Sequence, residues 1–139
     1  MLIGQFQHNI DVKGRVFIPA KLREDLGENF VVTKGLDGCL FLYSGNEWKR
    51  MEEILRGEKL FKSRNLQRYF FSSAAEVQAD KQGRALLPQN LREHAGLEKD
   101  VVIIGASTRA EIWDKEKWET LSEGLTDDAI AQAMDELGF

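Results

Sequence analysis

Apolar and polar positions along this chain fall into short runs that come round twice. Alternation over Phe6–Ile10 and Glu76–Ala79 predicts short strands, and Arg15–Ile18 and Arg84–Leu87 read as the strands returning from them. Between the members of each pair stands Asp-x-x-Gly. There the carboxylate can hold its own backbone and the glycine supplies a positive φ, which predicts a tight turn. Pro19 and Pro88 have no N–H to give a ladder and suit a helix's first turn. Pro-Ala-Lys-Leu-Arg-Glu-Asp-Leu and Pro-Gln-Asn-Leu-Arg-Glu-His-Ala are therefore predicted as helices of one to two turns, stopped at Gly27 and Gly96. The apolar runs Phe30–Thr33 and Val101–Ile104 predict strands, each leading through a Gly-containing turn to a further strand at Cys39–Tyr43 or Glu111–Trp113. Ser44-Gly-Asn-Glu47 offers a capping box, and Asp114 an N-cap, for the helix that carries Trp48 or Trp118.

These two passages are copies of one another. Asp11-Val-Lys-Gly-Arg-Val-Phe-Ile-Pro-Ala-Lys-Leu-Arg-Glu-Asp-Leu-Gly27 aligns without a gap on Asp80-Lys-Gln-Gly-Arg-Ala-Leu-Leu-Pro-Gln-Asn-Leu-Arg-Glu-His-Ala-Gly96. Eight of 17 positions are identical, where chance gives about one. They are Asp11/Asp80, Gly14/Gly83, Arg15/Arg84, Pro19/Pro88, Leu22/Leu91, Arg23/Arg92, Glu24/Glu93 and Gly27/Gly96. After one inserted residue the match continues through Val31/Val101, Val32/Val102, Gly35/Gly105, Leu42/Ile112 and Trp48/Trp118. A period of 69 residues in only two copies describes one pseudo-twofold unit and not a solenoid. The organisation expected is a first repeat over 5–47, a helical linker over 48–75, a second repeat over 76–119 and an acidic C-terminal helix over 120–139.

In the linker, Trp48, Met51, Leu55, Leu60, Phe61, Leu66 and Phe70 fall at helical spacings with a break near Gly57, a stripe that reads as core before it reads as a ligand site. Asp127–Leu137 predicts a final short helix. One copy of about 45 residues, with two hairpins and a short helix, buries too little apolar area to fold alone. The two copies are therefore expected to share one core, in an α+β, mainly β, fold: an intertwined β barrel with the short helices and linker helices at its periphery.

Composition narrows the function. The longest apolar runs are too short to span a bilayer, and Met1–His8 lacks the layout of a signal peptide, so neither membrane insertion nor secretion is expected. A single cysteine, Cys39, cannot close an intrachain disulfide, which fits a reducing cytosol. His8, Cys39 and His94 occupy unmatched repeat positions, and no phosphate-binding Gly-rich loop follows a strand. The reading is accordingly of a non-enzyme with no cofactor and no metal. The net charge of −4 conceals an asymmetry. Residues 111–139 hold nine acids against Lys115 and Lys117, a net of −7, and residues 1–110 carry a net of +3.

The paired Asp-x-x-Gly-Arg-x-x-x-Pro-x-x-Leu-Arg units resemble the SpoVT-AbrB type of swapped-hairpin domain. Their duplication, with Arg68-Tyr-Phe-Phe-Ser-Ser-Ala74 between the copies and Glu111-Ile-Trp113 near the end, resembles the MraZ family over essentially residues 1–120. The resemblance implies an AbrB-like double-psi, swapped-hairpin barrel. It also implies a bacterial transcriptional regulator of the division and cell-wall gene cluster. Such a protein binds short direct repeats in its own promoter, is cytoplasmic and nucleoid-associated, and assembles into homo-oligomeric rings. Asp11, Arg15, Asp80 and Arg84 fall on the family's Asp-x-x-x-Arg motif. One departure is that Lys13 aligns with Gln82, with Lys81 displaced by a residue, so equivalent DNA contacts by the two copies do not follow.

Residue chemistry suggests how such a motif meets double-stranded DNA. Arg15 and Arg84 begin strands just after tight turns; a β hairpin is narrow enough for a major groove, and Arg can grip guanine O6 and N7 with two bonds. Lys13 and Lys81, in the turns, suit phosphates, and Arg23 and Arg92 would widen the basic surface. Asp11 and Asp80 would fix the guanidinium orientation. Asp11–Arg15 and Asp80–Arg84 read equally well as structural ion pairs closing each hairpin. The run Lys59–Arg68 is a phosphate track or a solvated helix face. A non-DNA oligomeric interaction scaffold would keep the repeat and the oligomer while lacking promoter binding.

Overall fold

The twofold pattern of the sequence becomes a twofold sheet. The computed structural model describes all of residues 1–139. Its elements are β1 (Gln5–Asn9), β2 (Arg15–Phe17), α1 (Ala20–Leu26), β3 (Asn29–Lys34), β4 (Leu40–Ser44), α2 (Gly45–Arg56), α3 (Leu60–Ser73), β5 (Ala75–Gln78), β6 (Arg84–Leu86), α4 (Gln89–Ala95), β7 (Asp100–Gly105), β8 (Ala110–Asp114), α5 (Lys115–Glu123) and α6 (Asp127–Leu137). Six strands form one antiparallel sheet in the order β1-β7-β8-β4-β3-β5. Exchanging the two repeats maps this order onto its own reverse. The pseudo-axis passes through the β4–β8 pair, where Phe41 lies opposite its own repeat counterpart, Glu111.

Pairing runs across the repeats. β1 pairs with β7 and β3 with β5, each a strand of one copy against a strand of the other. β2 and β6 leave the sheet and pair with each other in a two-stranded ribbon, Arg15 opposite Leu86, Val16 opposite Ala85 and Phe17 opposite Arg84. The chain is thus α+β with a mainly antiparallel sheet, but the expected closed barrel is not found. The reason lies at the tight turns. Between β1 and β2 only the Ile10–Val16 bridge forms, and the three-residue β2 and β6 spend their ladder on each other, so the large sheet ends at β1 and β5.

Both faces of the sheet are covered, which explains runs of nearly uninterrupted apolar residues in place of strict alternation. One face supplies Phe30, Val32, Leu40, Leu42, Val101, Ile103 and Ile112 to the main core, together with Val16 and Ala85 of the ribbon, Leu22 and Leu26 of α1, and Leu91 and Ala95 of α4. Burying a side chain such as Ile112 or Leu42 contributes about 1.5–3 kcal/mol of transfer free energy. The other face carries a smaller cluster, Cys39, Phe41 and Trp113, against which Phe70, Trp118 and Leu121 of the outer helices pack. On this face Glu111 is buried. It accepts hydrogen bonds from Arg109 Nε (2.9 Å) and Trp113 Nε1 (3.0 Å), with the Arg109 guanidinium lying over the Phe41 ring. One acid of the acidic tail therefore belongs to the core.

Two expectations need correcting. Of the linker stripe, only Leu55 is buried; Leu60, Phe61 and Leu66 face outward at 68, 64 and 48% exposure. Helix α3 approaches the sheet through Ser63, Phe70 and Ser73 instead, with Thr33 Oγ1 donating to the Phe70 carbonyl (2.7 Å) and meeting Ser73 Oγ at 3.0 Å. The capping box forms only by half. Ser44 Oγ accepts from Glu47 N at 3.2 Å, and Glu47 makes no return bond; Asp114 caps α5 in the same way through Lys117 N (3.2 Å). No helix is long and apolar enough to cross a membrane.

Candidate nucleic-acid interface

The Asp-x-x-Gly-Arg motif builds each fingertip from local bonds. Asp11 Oδ1 accepts the backbone N–H of both Lys13 and Arg15 (2.9 Å each), Gly14 N donates to the Asp11 carbonyl (3.0 Å), and Asp11 N donates to the Arg15 carbonyl (2.9 Å). The second copy repeats this bond for bond with Asp80, Gln82, Gly83 and Arg84. Gly14 and Gly83 sit at φ +88° and +81°, where a side chain is strained. Backbone N–H groups aimed at each carboxylate, that of Arg15 or Arg84 foremost, hold Asp11 and Asp80 below the usual carboxylate range, and the neighbouring arginine charge adds to this.

The ion-pair reading of the arginines is correct as geometry. Arg15 Nε lies 2.7 Å from Asp11 Oδ2, and Arg84 Nε 3.2 Å from Asp80 Oδ2. Only Nε is used, however. Neither arginine has a protein partner at its Nη atoms, and the side chains stay 29 and 33% exposed. Val16 and Ala85 point inward, so Arg15, Phe17, Arg84 and Leu86 share the outer face of the ribbon. Arg84 lies diagonally across from Arg15, a relation that places such residues about 7–8 Å apart. A carboxylate that orients Nε while leaving the terminal nitrogens free presents a fork suited to two parallel hydrogen bonds.

Lys13 and Lys81 are exposed at the two turns, one residue out of register with each other. Arg23 and Arg92, expected to widen the basic surface, are half-buried. Arg23 Nε donates to the Ile18 carbonyl (2.8 Å) and Arg92 Nε to the Leu87 carbonyl (3.0 Å). Their guanidinium groups press on the turn of the opposite repeat, Arg23 against Gly83 and Arg92 against Gly14. The sequence did not single out Phe17, whose ring lies beneath the Arg23 guanidinium with 5.3 Å from Cζ to its centroid; its repeat counterpart is Leu86. Lys59, just before α3, and Lys62, Arg64 and Arg68 along it are all exposed.

A cleft of about 520 Å³ lies elsewhere, between α2, α3 and the β5 edge. Its lining of Val31, Trp48, Glu52, Leu55, Arg56, Gln67, Phe71, Ala74, Ala75 and Glu76 contains no hydroxyl, thiol or imidazole.

The geometry agrees with what the chain is similar to. A family model described as "MraZ protein, putative antitoxin-like" matches twice, over residues 1–66 and 70–137, once for each repeat. The transcriptional regulator MraZ of Acetivibrio thermocellus is 56% identical over 143 aligned positions covering all of both chains. That of Heliobacterium modesticaldum is 59% identical over 88% of this chain and 87% of its own, and that of a Thermoanaerobacter species 55% identical over the whole of both. Two copies of one motif, two matches to one family and end-to-end likeness to its members together place the chain in the MraZ family.

Proposed function

We propose that this chain is a sequence-specific, DNA-binding transcriptional regulator, working in the cytoplasm at the nucleoid on the promoter of the division and cell-wall gene cluster through tandem short repeats. The observation that carries the reading is the pair of arginines on one outer ribbon face, each oriented through Nε and unpartnered at Nη. Arg15 and Arg84 read guanine edges in the major groove. Lys13 and Lys81 meet phosphate, and Asp11 and Asp80 orient the arginines. The names of the relatives, all transcriptional regulators, support the same class. The exchange of β2 and β6 between the copies is read as the swapped-hairpin arrangement.

A single chain with so few cations binds weakly, so the reading includes a homo-oligomer, ring-like, whose subunits engage adjacent repeats through effective concentration. Helix α6 supports this, because Ile130, Met134 and Leu137 form an exposed apolar stripe that no part of the chain covers. A mobility-shift titration on the DNA upstream of the protein's own gene tests the reading, with the short repeats scrambled as control. The upstream DNA is expected to bind about a thousandfold more tightly than the scrambled DNA, and affinity is expected to fall steeply with salt. Equal binding of both, or none, would leave an oligomeric scaffold without a DNA role.

A further inference from the structure

Each turn is touched by a residue from the far repeat, and the contacts form a closed circuit. The Gly14 carbonyl accepts from Leu87 N (3.0 Å), the Leu87 carbonyl accepts from Arg92 Nε (3.0 Å), and the Arg92 guanidinium returns to lie on Gly14. A Cβ on Gly14 would meet Arg92 Cζ at 2.7 Å, so the guanidinium occupies the space that a side chain there would need. The mirror circuit runs from the Gly83 carbonyl to Ile18 N (2.8 Å), and from the Ile18 carbonyl to Arg23 Nε (2.8 Å). It closes through the Arg23 guanidinium on Gly83, where a Cβ would meet Arg23 Cζ at 2.8 Å. Phe17 packs against Arg23 and reaches the same place, its Cε1 3.0 Å from where a Cβ on Gly83 would stand; its repeat counterpart is Leu86.

We infer that Arg23 and Arg92 are crossed positioning residues: Arg92 holds the fingertip of the first repeat and Arg23 that of the second. Each turn takes its internal shape from its own Asp, and a single backbone bond, from Leu87 N to the Gly14 carbonyl or from Ile18 N to the Gly83 carbonyl, ties it to the ribbon. The crossing arginine fixes the turn's attitude about that bond through a planar group wedged between a carbonyl and a glycine. Lysine has the charge but neither the plane nor the Nε donor, so Arg→Lys is not conservative here. Each fingertip is consequently set by an arginine of the other repeat, so a change at Arg92 is felt at Gly14 and a change at Arg23 at Gly83.

Hydrogen exchange followed by mass spectrometry on the whole DNA-free protein tests this, with β7 amides as the reference for global stability. Arg92→Lys is expected to speed exchange in the turn residues 11–14 about tenfold while leaving the turn residues 80–83 at the wild-type rate, and Arg23→Lys to do the reverse. Faster exchange in both turns alike, in the turn of the variant's own repeat, or in neither, overturns the inference. A second measurement rests on the DNA reading above. Arg92→Lys is expected to lower affinity for the upstream DNA about tenfold, to add almost nothing in an Arg15→Ala background, and to keep its full effect beside Arg84→Ala. A full effect in the Arg15→Ala background would make Arg92 a direct contact and overturn the crossed role. Should wild type not bind the DNA, the proposed function fails while the exchange experiment still decides this inference.

Discussion

Asp11 and Asp80 each accept two backbone N–H groups through one oxygen and an arginine Nε through the other, so turn shape and guanidinium orientation are set by the same carboxylate. Both carboxyls are held below their usual value of 3.8. In the unfolded chain they take up protons first as pH falls, so the stabilisation they lend is complete above about pH 5 and is lost as pH drops through the lowered folded value. Thermal melts are expected to fall on that acid side, and Asp11→Asn with Asp80→Asn to flatten the decline. A decline of unchanged depth in the variant would contradict it. The Asp-x-x-Gly-Arg turn was legible in the sequence because all its partners lie within four residues. The bracing by Arg23 and Arg92 was not, because the partner of each sits in the other repeat and no local pattern records it. Glu111 read as one more tail acid although both groups that enclose its carboxylate, Arg109 and Trp113, stand only two residues away on the same strand face; what the sequence does not record is that outer helices cover that face.

Among the elements, strand and helix positions follow the apolar periodicity to within a residue or two, including the final helix over Asp127–Leu137. What periodicity leaves open is what covers an apolar face. The α3 stripe reads as core, yet the helix docks through two serines and Phe70 and turns Leu60, Phe61 and Leu66 outward. Helix α6 has the same character without any docking face. Eleven residues with a Thr126 cap make a marginal helix in water, so an apolar stripe at Ile130, Met134 and Leu137 gains most from a covering surface. Changing Ile130 and Met134 to serine is expected to lower the particle mass in light scattering while circular dichroism keeps the β signal. An unchanged mass would remove α6 from the assembly contact.

For the whole molecule, the duplication explains why the chain is one unit. Since β1 pairs with β7, β2 with β6 and β3 with β5, neither copy completes a sheet by itself, and the shared core was foreseeable from the small size of each copy. The closed barrel was not a safe extension of that argument, because short β2 and β6 satisfy their ladder in a separate ribbon. That ribbon carries both motif arginines on one outer face, which gives the molecule a single two-pronged surface. The most direct test replaces both prongs and compares the double variant Arg15→Ala, Arg84→Ala with wild type on the upstream DNA and on its scrambled form. The account predicts that discrimination between the two DNAs disappears while melting temperature and particle mass stay close to wild type. Retained discrimination by a folded, assembled double variant would contradict it.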